Sequence, residues 1–247
     1  MQIIFLGTNG WYDTKTGDTV STLIKTNDYY IIFDAGNGIN KVYDHCSEPK
    51  PAYLFLSHFH LDHISGLHTL VRLKCFKNLT IFGPEGIKEA LNTILNDPFS
   101  IPLSALPFKT KVYALPKETP DLPFNMETRH LRHASRTLGY RITIDKKTVA
   151  YCSDTGYCEN AVLLAKNSDL LITECAYKSG QIDESWPHLN PEVAAQIAKE
   201  ASARQLVLIH FDAALYKTMK ERKEAEKTAK KIFKNTFAAK DNLSIEI

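Results

Sequence analysis

The chain predicts a mixed α/β fold in which sheets are covered by helices, rather than one parallel sheet. Three observations carry that expectation. Short runs rich in β-branched and aromatic residues recur between turn residues, the pattern of strands. Helical patterns lie between and after them; strands and helices alternate toward the C-terminus, whereas hairpins occupy the first half. With 247 residues, 44% apolar and 23% charged, the chain has length for a proper core and the balance of a globular protein.

Taken in order, the expected strands are Ile3–Leu6, Val20–Thr26, Tyr29–Asp34, Tyr53–Ser57, Leu79–Phe82, Lys111–Leu115, Asn125–Arg132, Gly139–Ile144, Thr148–Cys152, Leu170–Thr173 and Leu206–Ile209. The expected helices are Ile64–Leu73, Glu85–Leu95, Glu159–Lys166, Glu192–Ala201 and Lys217–Phe237. Asn190 followed by Pro191 is a helix start, a capping side chain before a proline in the first turn. The proline-rich stretch Asp97–Pro123 reads as loop with one embedded strand. Its apolar residues Phe99, Ile101, Leu103, Leu106 and Phe108 argue against a linker and for a segment that lines or covers a cleft. No short repeat or low-complexity segment divides the chain, so a single domain over residues 1–247 is expected.

A net charge of +2 argues for no polyanionic partner. The final helix is nonetheless basic, with Lys217, Lys220, Arg222, Lys223, Lys227, Lys230, Lys231 and Lys234; such a face is usually just solvated. The chain opens directly on strand residues, with no secretory pattern, and no apolar run is long enough to span a bilayer, so no membrane partner is expected. The five cysteines are odd in number, scattered and free of any CxxC, which suits reduced thiols in a cytoplasmic protein.

The segment Ser57-His-Phe-His-Leu-Asp-His63 carries the chemistry. It follows the apolar run Tyr53–Leu56, and alternation along an extended chain turns His58 and His60 to one side, where they can share a metal ion. Asp62 and His63 follow and can reach a second ion beside it. Imidazoles and carboxylates at this density suit zinc or a similar divalent ion. Further candidates end other strands: His133, Asp154 and His210. Each has an ordinary alternative: His130 could be the ligand in place of His133, Asp154 could be a turn residue ahead of Gly156, and His210 could be a cap.

In order, HFHLDH, RHASRTLGYRI, SDTG and LVLIHF resemble the metallo-β-lactamase superfamily, and the match runs over nearly the whole chain. Asp34, in Phe33-Asp-Ala-Gly-Asn-Gly, matches its early structural aspartate. The resemblance implies a four-layer αββα sandwich with metals at one edge between the sheets. It implies that His58, His60 and His133 hold one metal, that Asp62, His63 and His210 hold the other, and that Asp154 bridges them.

Redox di-iron members carry an acidic residue where this chain has His60, and the main zinc β-lactamases carry cysteine at Asp154. The details are instead similar to ribonuclease Z and related phosphodiesterases: Gly7-Thr8, Phe82-Gly-Pro-Glu-Gly-Ile, Leu138-Gly-Tyr-Arg, Leu171-Ile-Thr-Glu-Cys and His188-Leu-Asn-Pro-Glu-Val-Ala. This implies catalytic roles for His188, as proton donor to the leaving group, and for Glu174, which orients it, beside Asp62 at the metals. For Glu174 a surface ion pair remains an equal reading of the residue itself.

Three departures weigh against tRNA cleavage. Only a short stretch separates His133 from Asp154, where bacterial tRNA-processing enzymes insert a long arm. The usual arginine after His210 is missing, and His-Leu-Asn-Pro replaces a threonine-containing pattern at His188. The resemblance therefore implies two divalent ions, zinc first with manganese as the alternative, a metal-bridging hydroxide, and a small phosphodiester or nucleotide substrate, foremost a cyclic nucleotide. The alternatives are a ribonuclease Z-like RNA 3′-processing endonuclease and a thioester or lactone hydrolase. A homodimer is expected from the resemblance alone. Tyr140, Tyr177, Trp186 and Tyr216 could stack on a base, but core packing is the expected role for each.

Overall fold

Two β-sheets lie face to face with helices on both outer faces in the computed structural model, which describes residues 1–247. The strands are β1 (Gln2–Gly7), β2 (Asn9–Gly10), β3 (Ser21–Lys25), β4 (Tyr30–Phe33), β5 (Lys50–Phe55), β6 (Phe76–Pro84), β7 (Lys109–Leu115), β8 (Asn125–His130), β9 (Leu138–Ile144), β10 (Lys147–Cys152), β11 (Leu170–Glu174), β12 (Leu206–Ile209), β13 (Phe211–Asp212), β14 (Thr236–Ala238) and β15 (Leu243–Glu246). The helices are α1 (Val42–His45), α2 (Leu61–Ile64), α3 (Ile87–Ile94), α4 (Glu159–Ala165), α5 (Pro191–Glu200) and α6 (Met219–Lys230). The first sheet runs β15-β1-β3-β4-β5-β6-β7 and the second β14-β12-β11-β10-β9-β8, while β13 pairs with β2.

Side-chain alternation divides the core into three layers. In β1, Ile3 and Phe5 face the core between the sheets, while Ile4 and Leu6 face the outer core of the first sheet. In β10, Val149 and Tyr151 face inward, whereas Ala150 and Cys152 face α4 and α5. Strands buried on both faces read as continuous apolar runs, which is why they stand out in the sequence. Stacked rings pin the middle layer: Phe33 lies on Tyr151 with centroids 4.5 Å apart, and Phe55 on Phe82 at 4.7 Å. The architecture is the expected αββα sandwich.

Some elements differ from expectation. The run Ile64–Leu73 is not an α-helix: α2 ends at Ile64 and a 3-10 stretch follows over Ser65–Arg72. Gly66 explains this, because its amide donates to Ala35 and the backbone of Gly36 lies where a Cβ would sit. The last helix stops at Lys230 instead of Phe237, because Thr236–Ala238 joins the second sheet beside β12. In the first sheet the hairpins end at β4, and from there β5, β6 and β7 pair in parallel; hairpins return in the second sheet at β8–β9–β10. Asp97–Pro123 contains β7 as expected, but it does not line the metal cleft. Leu103, Leu106 and Phe108 pack on the outer core of the first sheet.

Candidate metal centre and active site

The sheet topology delivers the functional residues to one edge. Strands β10, β11 and β12 are parallel, so their C-terminal ends coincide. Asp154 follows β10, Glu174 ends β11, and His210 follows β12. Across the sandwich, β5 ends at Phe55 and the extended segment beyond it carries His58 and His60 into α2, which holds Asp62 and His63. His133 enters from the loop after β8.

The structure brings all seven candidate ligands together. His58, His60, His133 and Asp154 form one group with donor atoms within 4.8 Å of one another, and Asp62, His63 and His210 form a second. Asp154 faces both: Oδ1 lies 3.1 Å from His63 Nε2 and 3.3 Å from His210 Nε2, while Oδ2 lies 3.9 Å from His58 Nε2 and 3.8 Å from His133 Nε2. His130 is exposed and stays outside, with its carbonyl accepting from Asn160 at 2.8 Å.

Most ring nitrogens that face away from the cluster are held. His63 Nδ1 donates to Asp34 Oδ2 at 2.9 Å, and Asp34 also accepts from the Ser57 amide and hydroxyl and from Tyr151 Oη. His58 Nδ1 lies 3.0 Å from Ser57 Oγ, His60 Nε2 2.8 Å from Ser135 Oγ, and His133 Nδ1 3.3 Å from the Pro187 carbonyl. Such partners fix tautomer and ring direction. The inward nitrogens are left facing one another: His63 Nε2 and His210 Nε2 are 3.2 Å apart, and His58 Nε2 is buried with no partner. Orphaned, convergent imidazole nitrogens interleaved with carboxylates are the donor set a divalent cation requires, so the residues fit metal.

Electrostatics divide the two groups. Burial pushes His58 well below the ordinary imidazole range, helped by His63, and burial likewise lowers His60 and His133. Burial opposes the charged form of His63 and His210 as well, but Asp154 and Asp62, joined at His63 by Asp34, outweigh it and hold both above that range. The same contacts hold Asp62 and Asp154 below the usual carboxylate range against the effect of burial.

Beside this cluster, His188 Nδ1 meets Glu174 Oε1 at 2.8 Å. Glu174 is fully buried and accepts from the amides of Thr155 and Ala176, so it is no surface ion-pair partner. Burial works against a charged His188, but Glu174, then Asp154, raise it to about 9. Its Nε2 is the free ring nitrogen.

Backbone strain accumulates here: Asp34 and His210 adopt φ of 56° and 48°, values that L side chains rarely take. Gly10 makes room for His210, because a Cβ there would stand 2.5 Å from its Cε1.

Several residues of the site escaped sequence reasoning. The Trp11 amide donates to Asp62 Oδ2 at 2.7 Å, a backbone contact with no signal in side-chain identity. Ser135, close to His133, was within reach of a motif reading. Trp186 is a correction: it is not core but lies parallel to the His60 ring (5.7 Å, 7°) and remains 39% exposed. Tyr140, Tyr177 and Tyr216 are buried as expected. Trp11, Trp186, Tyr177, His188 and Asp212 line the cleft together with His60, Asp62, Asp154 and His210.

An αββα sandwich with this double His/Asp cluster at its edge defines a metal-dependent hydrolase. Residues 29–211 match the family model described as "Beta-lactamase superfamily domain", and the chain belongs to that superfamily. Ribonuclease Z of Bacillus velezensis is 26% identical over an alignment of 310 residues covering 100% of this chain and 99% of that protein. The probable metallo-hydrolase YhfI of Bacillus subtilis is 28% identical over 85% of this chain and 87% of its own length. The crystal structure of YhfI superposes with a TM-score of 0.82 at 26% identity, over 99% of both chains. The short form of human tRNase Z superposes at 0.77 with 21% identity, over 100% of this chain and 99% of that one, a likeness of fold. The chain is thus a metallo-hydrolase of the ribonuclease Z and phosphodiesterase branch.

Proposed function

We propose that the chain, as one metallo-β-lactamase-like domain over residues 1–247, is a dinuclear metal-dependent phosphodiesterase acting on a small phosphodiester, foremost a cyclic nucleotide. The observation that carries this reading is the His188–Glu174 pair set beside the double cluster. His58, His60 and His133 would hold one cation, Asp62, His63 and His210 the other, and Asp154 would serve both through its two oxygens. The imidazole majority favours zinc, with manganese as the alternative. When bound, two such cations supply charge neutralisation at phosphate and a lowered pKa for water.

The chain's own groups do the rest. His188 carries a proton at Nε2 and gives it to the departing oxygen, the step an alkoxide leaving group needs. Glu174, fixed by two backbone amides, holds Nδ1 and keeps the ring charged. Asp62 Oδ2 accepts from the Trp11 amide, which fixes the carboxylate toward the cluster.

A small substrate is supported by the tight connection between β9 and β10, only Asp145 and Lys146. The second reading is an RNA 3′-processing endonuclease, favoured by relatives named ribonuclease Z whose alignments span the whole chain. The five free cysteines are in keeping with a cytoplasmic enzyme, and no helix is long and apolar enough to cross a membrane. Homodimerisation rests on the family resemblance.

The test is hydrolysis of bis(p-nitrophenyl) phosphate by metal-reconstituted protein, beside 3′,5′-cyclic nucleotides and a precursor tRNA, with Asp154→Ala and His188→Ala. Cyclic-nucleotide turnover lost in both variants, with the tRNA intact, supports the first reading. Cleavage at the tRNA 3′ end supports the second. Turnover of esters but of no phosphodiester would move the site to carbonyl hydrolysis.

A further inference from the structure

Asp212 is a carboxylate without a cation. It lines the cleft next to His210 but takes part in none of the three candidate ligand groups, the third being Asp154, His188 and His210. Its Oδ1 accepts from the Ala214 amide at 2.7 Å, and no lysine, arginine or histidine pairs with it. Parallel pairing of β13 with β2 sets it opposite Gly10, on the same short ribbon that presents Trp11. An unpaired carboxylate in a cleft meant for an anionic phosphodiester repels substrate unless it accepts hydrogen bonds from it.

Trp186 supplies a second constraint. One face of the indole covers the His60 ring, Tyr177 Oη donates to its carbonyl at 2.6 Å, and the side chain still lines the cleft. A pre-positioned, part-exposed indole beside a phosphate site offers a stacking surface to a base.

We infer that Trp186 and Asp212 form a ribonucleoside subsite: the base stacks on Trp186, and a ribose hydroxyl donates to Asp212 while the phosphodiester meets the metal cluster. The inference rests on the phosphodiesterase reading above and adds the residues that recognise the nucleoside. It makes Asp212 a specificity-determining residue that distinguishes ribose from deoxyribose. The same chemistry is found in a free cyclic ribonucleotide and at an RNA end.

The experiment compares uridine 5′-(p-nitrophenyl phosphate) with its 2′-deoxy counterpart on metal-loaded protein, with bis(p-nitrophenyl) phosphate as a substrate lacking ribose. The ribo ester is expected to be favoured by about tenfold or more in kcat/KM, the scale of a hydrogen bond to a charged group. Asp212→Asn should collapse that preference mainly through KM. Because Trp11 and Trp186 are the only tryptophans, Trp11→Phe leaves Trp186 as sole indole fluorophore, and uridine 5′-monophosphate should quench it.

Equal rates for the two esters, or no quenching, overturns the subsite while bis(p-nitrophenyl) phosphate turnover keeps the phosphodiesterase reading standing. Absence of that turnover overturns the phosphodiesterase reading, and quenching then decides the subsite by itself. Parallel runs with 3′,5′-cyclic uridine monophosphate and a short oligoribonucleotide, each with its deoxy form, separate the two sources.

Discussion

At the residue scale, the proton chemistry turns on His188. With His188 raised to about 9, its donor proton is present at neutral pH and lost as pH rises through that value. Activity should therefore fall on the alkaline side, and Glu174→Gln, which removes the charge that raises His188, should move the fall to lower pH. A pH–rate profile of both proteins checks this; an unmoved limb would take the proton-donor role from His188. Asp34 acts through His63. Asp34→Ala removes the acceptor for the Tyr151 hydroxyl and Ser57 and frees the His63 ring, so metal affinity should drop about 10- to 100-fold, measured by competition with a chromophoric chelator. Gly10→Ala drives a Cβ into His210 and should cost about 1–3 kcal/mol in stability or metal affinity, as overpacking does. Full metal content and an unchanged melting temperature would refute it. His58, His60, Asp62 and His63 were legible because one extended segment delivers them in sequence. His133 was not separable from His130 by pattern; only the end of β8 at His130 shows which histidine enters the loop toward the cluster.

Elements were legible where burial on both faces wrote long apolar runs. Every expected strand has a counterpart: β1, β3 to β6 and β10 to β12 each serve two core layers, and β9 shows through the alternation of Leu138, Tyr140, Ile142 and Ile144. The missed strands lack that signature. β2 and β13 are two residues each, β14 is three, and β15 is half-exposed. Helix ends followed caps rather than periodicity. Asn190 Oδ1 accepts from the Val193 amide at 3.0 Å, and Thr218 with Glu221 forms a capping box that starts α6. The extended C-terminal helix was overcounted because lysines favour helix without specifying its end. Thr218→Ala should cost about 1 kcal/mol, a fall in Tm of about 2–4 °C for a chain of this size, read by calorimetry. A larger loss would mean α6 anchors more than itself. The buried Arg222 ties α6 to Thr8 and Asn9, at the base of the loop bearing Trp11.

For the whole molecule, the metal cluster bridges the two sheets: His58, His60, Asp62 and His63 come from the first, Asp154 and His210 from the second. Cations bound there belong to the folded state alone, so each site at 100 times its dissociation constant should add about 2.7 kcal/mol of stability. Chelation should lower Tm and zinc should restore it, as followed by differential scanning calorimetry; a Tm indifferent to metal would mean the cluster holds none. The sheet order has a separate consequence for assembly. Each sheet leaves one margin in β7 or β8, where Lys109 and Lys111, or Glu127 and Asn125, stand exposed. On the opposite margin, the amide of Ala238 in β14 is already taken by Glu226. Charges and occupied amides of this kind keep a strand from templating a neighbour. These features work against edge-to-edge joining of two copies at β7, β8 and β14, so a pairing of subunits at those margins falls to helices and loops.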